Sequence, residues 1–369
     1  MKIFQICDSP MAYYYSRQSN MINKFSEHQS RFYSNTRNWP KEWINKSYLD
    51  LTPDNPMEEI INELQQSDIV VFHATRNFKS KISAAGGEID TGSYLNGKKA
   101  ICLIHGQPET LNIQDCREFI RHHLNEAVFV VATANQLNLF PGTKLFPIIG
   151  LFSGSDPLYS PRADYLEARD HVQVIRRTPW KAQSFAVYLY KQVKNPGLLC
   201  VKFFIKKLLG YRVSRNDIFK PPSGEFVFLK NNKKVVFDNL LEWQPHQSVL
   251  QSLAESDILL ENDAYDYPGG GTSHTIGLEA MSMGIPAVNF ITEKNGTLFA
   301  EFIKADELPP FKYYDNENHF KKDSLIYLED LMYDTDYLIH RKKKCREYFL
   351  KYLDVDKTIP LVTDFLEKC

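Results

Sequence analysis

The stretch over residues 256–290, SDILLENDAYDYPGGGTSHTIGLEAMSMGIPAVNF, constrains what this chain can fold into more than any other. Asp257-Ile258-Leu259-Leu260-Glu261 is short, apolar and without alternation, as suits a strand covered on both faces. It runs into a polar loop that ends in Gly269-Gly270-Gly271, where missing Cβ atoms let the backbone come close to a ligand. Thr272, Ser273 and His274 then precede the helical spacing of Ile276, Leu278, Ala280 and Met281, and a Thr or Ser there is a natural N-cap. The spacing thus aims a helix N-terminus at the glycine loop, and its free amides and dipole favour an anion such as a diphosphate. Glu279 falls nearly two turns inside this helix, where a carboxylate can accept hydrogen bonds from ribose hydroxyls. Gly284-Ile285-Pro286 stops the helix, and Ala287-Val288-Asn289-Phe290 returns to a sheet.

The same alternation of short β-like runs and helices extends over most of the chain. Residues 2–7, 68–73, 99–105, 128–133 and 145–150 read as strands, with helices over 56–66 and 112–125; Met57, Ile60, Ile61 and Leu64 carry the spacing of the first. Composition shifts to Ser, Gly, Pro and Asp over residues 153–162 (SGSDPLYSPR), and a second strand-helix series begins after it. That series has strands at 171–176, 198–205, 225–229, 234–238, 257–261 and 287–290, and helices at 180–194, 248–255 and 273–283. Residues 207–222, basic and loop-like, interrupt it, and 335–353 and 360–368 read as closing helices. A chain of 369 residues exceeds what one core usually organises. The expectation is α/β: two Rossmann-like, doubly wound parallel-sheet domains facing a cleft, over 1–155 and 165–335, with helices over 336–369 packing back on the first domain.

Charge and cysteine usage narrow the function. Lys plus Arg (44) almost cancels Asp plus Glu (45), so no global field steers nucleic acid, and any phosphate site must be local. Cys7, Cys102, Cys116, Cys200, Cys345 and Cys369 are scattered without C-x-x-C spacing, which argues against structural zinc and a disulfide framework. No apolar run approaches the roughly 20 residues a bilayer demands, and the N-terminal run is too short for a secretory signal, so residence in the cytoplasm is expected.

The string over residues 277–288, GLEAMSMGIPAV, resembles the G-x-x-E-A-M-A-x-G-x-P-V helix of GT-B glycosyltransferases, above all the retaining family four (glycosyl transferases group 1). The resemblance implies that Glu279 binds the ribose of a nucleotide-sugar donor and that Gly270, Gly271, Thr272, Ser273 and His274 lie against its diphosphate and sugar. Many members carry a second Glu eight residues before the first; here that position is Gly271, so the sugar contact falls to Glu261, Asp263 or Asp266, and donor identity and stereochemistry stay open. Residues 171–181 (HVQVIRRTPWK) are similar to the family's first strand and loop of the donor domain, which makes Arg176, Arg177 and Lys181 the cations expected to meet the leaving diphosphate. Residues 146–161 are similar to the stretch that ends the family's N-terminal domain.

Two histidines follow strands of the first domain, His73 and His105, at the end where open α/β sheets gather their ligands. His105, with Gly106 after it, is the better placed, and resembles the family's histidine beside the transferred sugar; it would hold a sugar hydroxyl or act as base on the acceptor. The expected activity is glycosyl transfer from a nucleotide-sugar to a glycan or lipid-linked acceptor, as in assembly of bacterial surface polysaccharide, with His105 and Glu279 at its centre. The nucleotide-sugar is a co-substrate, and neither a resident cofactor nor a metal is expected, because no D-x-D follows a strand. Two alternatives stand beside this: an isomerase like the sugar-nucleotide 2-epimerases, and a non-catalytic protein of the same fold that binds a nucleotide or glycan. The run Arg341-Lys342-Lys343-Lys344 reads as a solvated helix face, or as a peripheral contact with the anionic inner face of a membrane.

Overall fold

The structure is a computed structural model that describes residues 1–7, 13–35, 50–74, 81–104, 127–131, 143–146, 152–177, 226–230, 233–240, 246–261 and 275–368. The chain divides into two compact units. The first comprises Met1–Gly154, Leu298–Ala305 and Lys351–Cys369, the second Ser155–Thr297 and Asp306–Leu350. Among the described residues no helix is long and apolar enough to cross a membrane.

In chain order the first unit runs β1 (Lys2–Cys7), α1 (Tyr13–Phe25), β2 (Gln29–Ser34), α2 (Met57–Gln66), β3 (Ile69–Ala74), β4 (Lys81–Ala84), β5 (Gly87–Asp90), β6 (Lys99–Ile104), β7 (Ala127–Val131) and β8 (Lys144–Leu145). Six of these strands form one parallel sheet in the order β2-β1-β3-β6-β7-β8, while β4 and β5 pair as a separate antiparallel hairpin. Alternation sends Phe4, Ile6, Val70, Phe72, Ala100 and Cys102 to one face, where Ile60 and Leu64, one turn apart on α2, pack against them. Glu58 and Glu59 in the first turn of α2 complement the dipole of that helix. The opposite face carries Gln5, Ser30 and His73, joined to Ser19 of α1 by hydrogen bonds. The runs read as strands at 2–7, 68–73, 99–105 and 128–133 are strands within a residue or two; α1, β2 and the hairpin, polar or mixed in pattern, carried no such signal. The expected helix over 112–125 lies outside the described residues.

The chain continues through β9 (His171–Arg177), β10 (Phe226–Lys230), β11 (Lys233–Leu240), α3 (His246–Glu255), β12 (Ile258–Leu260), α4 (Thr275–Ser282), β13 (Ala287–Val288), α5 (Glu293–Phe302), α6 (Glu317–Tyr333) and α7 (Thr335–Tyr348), all in the second unit except the part of α5 from Leu298 onward, which belongs to the first. A π-helical turn, Phe349–Leu353, and α8 (Val355–Lys368) close the chain. The sheet order is β10-β11-β9-β12-β13. It departs from the all-parallel expectation at one edge, where β10 is antiparallel to β11. The physical reason is the connection: two residues separate these strands, and a parallel crossover needs a dozen or more. Val172, Val174, Val235, Ile258, Leu260, Val288 and Phe290 form the core with Phe320, Leu328 and Leu331 of α6. Asn316 caps α6 by accepting from the amides of Asn318 and His319, and Asp334 both ends α6 and caps α7 through Tyr337 N. The expected elements over 180–194, 198–205 and 207–222 lie outside the described residues.

The basic run at 341–344 does not form one exposed surface, as the sequence suggested, because its first two cations turn inward. Lys342 is 3% exposed, and its Nζ donates to Asp257 Oδ1 at 2.6 Å. The same carboxylate accepts from Arg162 at 2.7 Å and from the amide of Gln173 at 2.9 Å, with Arg169 at 3.5 Å. Arg341 turns inward to the Pro310 carbonyl and the Tyr327 ring. Lys343 and Lys344 alone remain exposed, the former 3.8 Å from Glu347. Burial by itself raises the Asp257 carboxyl, but the Lys342 ammonium, the Gln173 amide and the Arg162 guanidinium outweigh it and hold it below the usual carboxylate range. Burial lowers the Lys342 ammonium; Asp257 only partly restores it, and the like charges of Arg162 and Arg169 lower it further.

Candidate functional site

In the second unit β9 lies between β11 on one side and β12 on the other, both parallel to it and both later in sequence, so the strand order reverses beside β9. Open α/β sheets bind ligands outside the carboxyl ends of their strands at such a reversal. Arg176 pairs there with Asn239 of β11 and Leu260 of β12, and Arg177 with Leu240. The backbone therefore brings Arg176, Arg177 and Glu261 to one end of the sheet. The parallel pair β12 and β13 is connected through α4, which returns the chain along the sheet and places the start of that helix at the same end. Its end is tightly made. The amide of Ile285 bonds to Ala280 O at 2.8 Å and that of Gly284 to Met281 O at 3.0 Å, with Gly284 left-handed at φ +72°.

Glu279 projects from the middle of α4 and is 2% exposed. Its Oε1 lies 2.8 Å from Nε2 of His246, the first residue of α3. A carboxylate oxygen only accepts, so Nε2 carries the proton and donates. Nothing in the sequence singles out His246: the helical reading begins two residues later, at Ser248, and no spacing links positions 33 apart that only the packing of α3 on α4 brings together. Glu261, expected as a sugar contact, is 1% exposed, and its Oε2 accepts from Asn289 Nδ2 at 2.7 Å. That bond joins the residues that follow β12 and β13. Asn289 Oδ1 is buried without a hydrogen-bond partner among the described residues.

The remaining candidates, Lys181, Asp263, Asp266, Gly270, Gly271, Thr272, Ser273 and His274, lie outside the described residues, as does His105, one residue past the end of β6. Arg176 and Arg177 are placed by backbone alone. In the first unit the order also reverses, between β1 and β3, and His73 near the end of β3 is fixed there. Its Nε2 donates to Gln5 Oε1 at 3.0 Å, Gln5 Nε2 donates to Ser30 Oγ at 2.9 Å, and Ser19 Oγ donates to Ser30 Oγ at 3.0 Å. The relay sets the imidazole tautomer.

These two reversed-order α/β units have the GT-B fold, the architecture of many glycosyltransferases. Among solved structures, TarM from S. aureus, solved with UDP, fondaparinux and α-GlcNAc-glycerol, is 11% identical with a TM-score of 0.53, covering 99% of each chain. The catalytic domain of starch synthase IV from Arabidopsis thaliana, bound to ADP and acarbose, is 7% identical with a TM-score of 0.51, covering 100% of this chain and 98% of the other. A UDP-GlcNAc 2-epimerase from Neisseria meningitidis bound to UDP-GlcNAc covers 100% of both chains at 12% identity with a TM-score of 0.46. Likeness at such identities carries the fold and nothing narrower. No family model matches the chain, and no curated protein matches its sequence.

Proposed function

We propose that the protein is a glycosyltransferase that binds a nucleotide-sugar through its second unit and transfers the sugar to a glycan or lipid-linked acceptor held by the first. The observation that carries this reading is Glu279, a buried carboxylate oriented by His246 on the helix that follows β12, beside the reversal in strand order. In the proposed complex Glu279 accepts from the ribose hydroxyls. Residues 270–274 lie against the diphosphate and sugar, and Arg176, Arg177 and Lys181 balance the charge that develops on the departing diphosphate. Glu261 is the acidic group proposed to face the donor sugar, with Asp263 and Asp266 following it in sequence. His105 serves the acceptor side, where it orients a hydroxyl or takes its proton. Fixed cations meet the leaving-group charge in this scheme, and the nucleotide-sugar enters as co-substrate. By resemblance the transfer is retaining, and assembly of a bacterial surface polysaccharide is the setting we favour.

Calorimetric titration with UDP, GDP, ADP and CMP and their common sugar conjugates tests the reading. One nucleotide is expected to bind, and Glu279→Ala to weaken it about 10- to 100-fold, as the loss of one charge-assisted hydrogen bond worth about 1.5–3 kcal/mol would. A folded wild type that binds none of them would sink the proposal.

A further inference from the structure

We infer that His246 is the positioning residue of this site: by holding the Glu279 carboxylate in one orientation, it makes the site demand the hydroxyls of a ribose. The inference rests on the donor-site reading of Glu279. A glutamate has three side-chain torsions, so a carboxylate meant to meet two vicinal hydroxyls must have its torsions fixed before the ligand arrives, or binding must fix them at its own cost in entropy. Glu279 sits on α4, whereas the group that fixes it comes from the first residue of α3, so the restraint is tertiary and independent of the helix carrying the carboxylate. Nε2 of His246 reaches Oε1 at 2.8 Å, within the range of a charge-assisted bond. The imidazole keeps 19% of its side-chain surface while the carboxylate keeps 3%, so the restraining group stands on the solvent side of the restrained one. A buried, oriented acceptor of this kind rejects a ligand that lacks the matching donor, because its desolvation is then left uncompensated.

The test measures a ratio, which a purely structural role for His246 would leave alone. The nucleotide that binds best among UDP, GDP, ADP and CMP is titrated together with its 2′,3′-dideoxy counterpart, into wild type, His246→Leu, His246→Asn and His246→Gln. Wild type is expected to prefer the ribonucleotide by about 100-fold or more. His246→Leu removes the donor and His246→Asn falls short of the carboxylate, so both are expected to reduce that preference to about tenfold or less, mainly by weakening the ribonucleotide. His246→Gln, whose amide nitrogen can occupy the place of Nε2, is expected to restore most of it. If His246→Leu is poorly folded, His246→Asn decides. A folded His246→Asn that keeps the full preference overturns the positioning role while leaving the donor site standing. A wild type that binds a nucleotide without preferring ribose overturns it as well. A wild type that binds no nucleotide overturns both readings at once.

Discussion

At the residue scale, Gly284 and His246 mark the two limits of what a linear sequence can disclose. Gly284 was legible because glycine after an apolar helix and before Ile-Pro has one physical meaning, a left-handed helix end, and its φ of +72° is that end. A Cβ there would also lie 2.9 Å from the Tyr165 ring and 3.2 Å from the Lys342 carbonyl. Gly284→Ala therefore combines left-handed strain with overpacking and is expected to cost about 2–4 kcal/mol, read as a lower denaturant midpoint for the transition that reports on the second unit. An unchanged midpoint would show that α4 ends some other way. His246 was illegible for the opposite reason. A lone histidine ahead of a helix has no spacing relation to a glutamate on the next helix, and the partnership exists only once α3 and α4 pack. Glu279 falls between these limits: its helix and its depth in it follow from the apolar spacing, and its burial does not.

The basic stretch of α7 shows how an element misleads when its charges are counted before its faces are placed. Four cations in a row read as one surface, but at 100° per residue they point in different directions, and α7 turns Lys342 inward while Lys343 and Lys344 stay out. The inward ammonium meets Asp257 where the chain enters β12, so one carboxylate ties α7, β9, β12 and the segment carrying Arg162 and Arg169. Removing it strands cations in a nearly dry site. Asp257→Asn is expected to cost about 3 kcal/mol and to reduce hydrogen-exchange protection of β12 and α7. The carboxyl is held below its unfolded value of about 4 by Lys342, Gln173 and Arg162 against the opposing effect of burial. Its contribution is therefore complete above pH about 4 and disappears as pH falls through the folded-state value. The stability of Asp257→Asn should accordingly fall less steeply than that of wild type on acidification below pH 4; parallel slopes would mean that another carboxylate governs that limb.

At the scale of the whole molecule, the last helix belongs to the first unit although it follows the second in sequence. Helix α8 packs on α1, Lys99 Nζ donates to Glu367 O at 2.6 Å, and the rings of Phe146, Phe302 and Phe365 cluster with centroids 4.6 to 5.9 Å apart. Truncation after Leu353 is expected to strip exchange protection from α1 and β6 while α3, β12 and α4 keep theirs; uniform loss across both units would overturn this assignment. The sequence by itself determined the α/β class and most central strands, because buried strands need unbroken apolar runs that polar chemistry cannot imitate. It also located the helix with Glu279 and its end at Gly284, because that end is made by local backbone bonds. Tertiary structure alone decided which charges are buried, which histidine meets Glu279, and that α7 stays with the second unit while α8 joins the first. Those outcomes depend on contacts between residues far apart in the chain, and such contacts leave no periodicity in the sequence to be read.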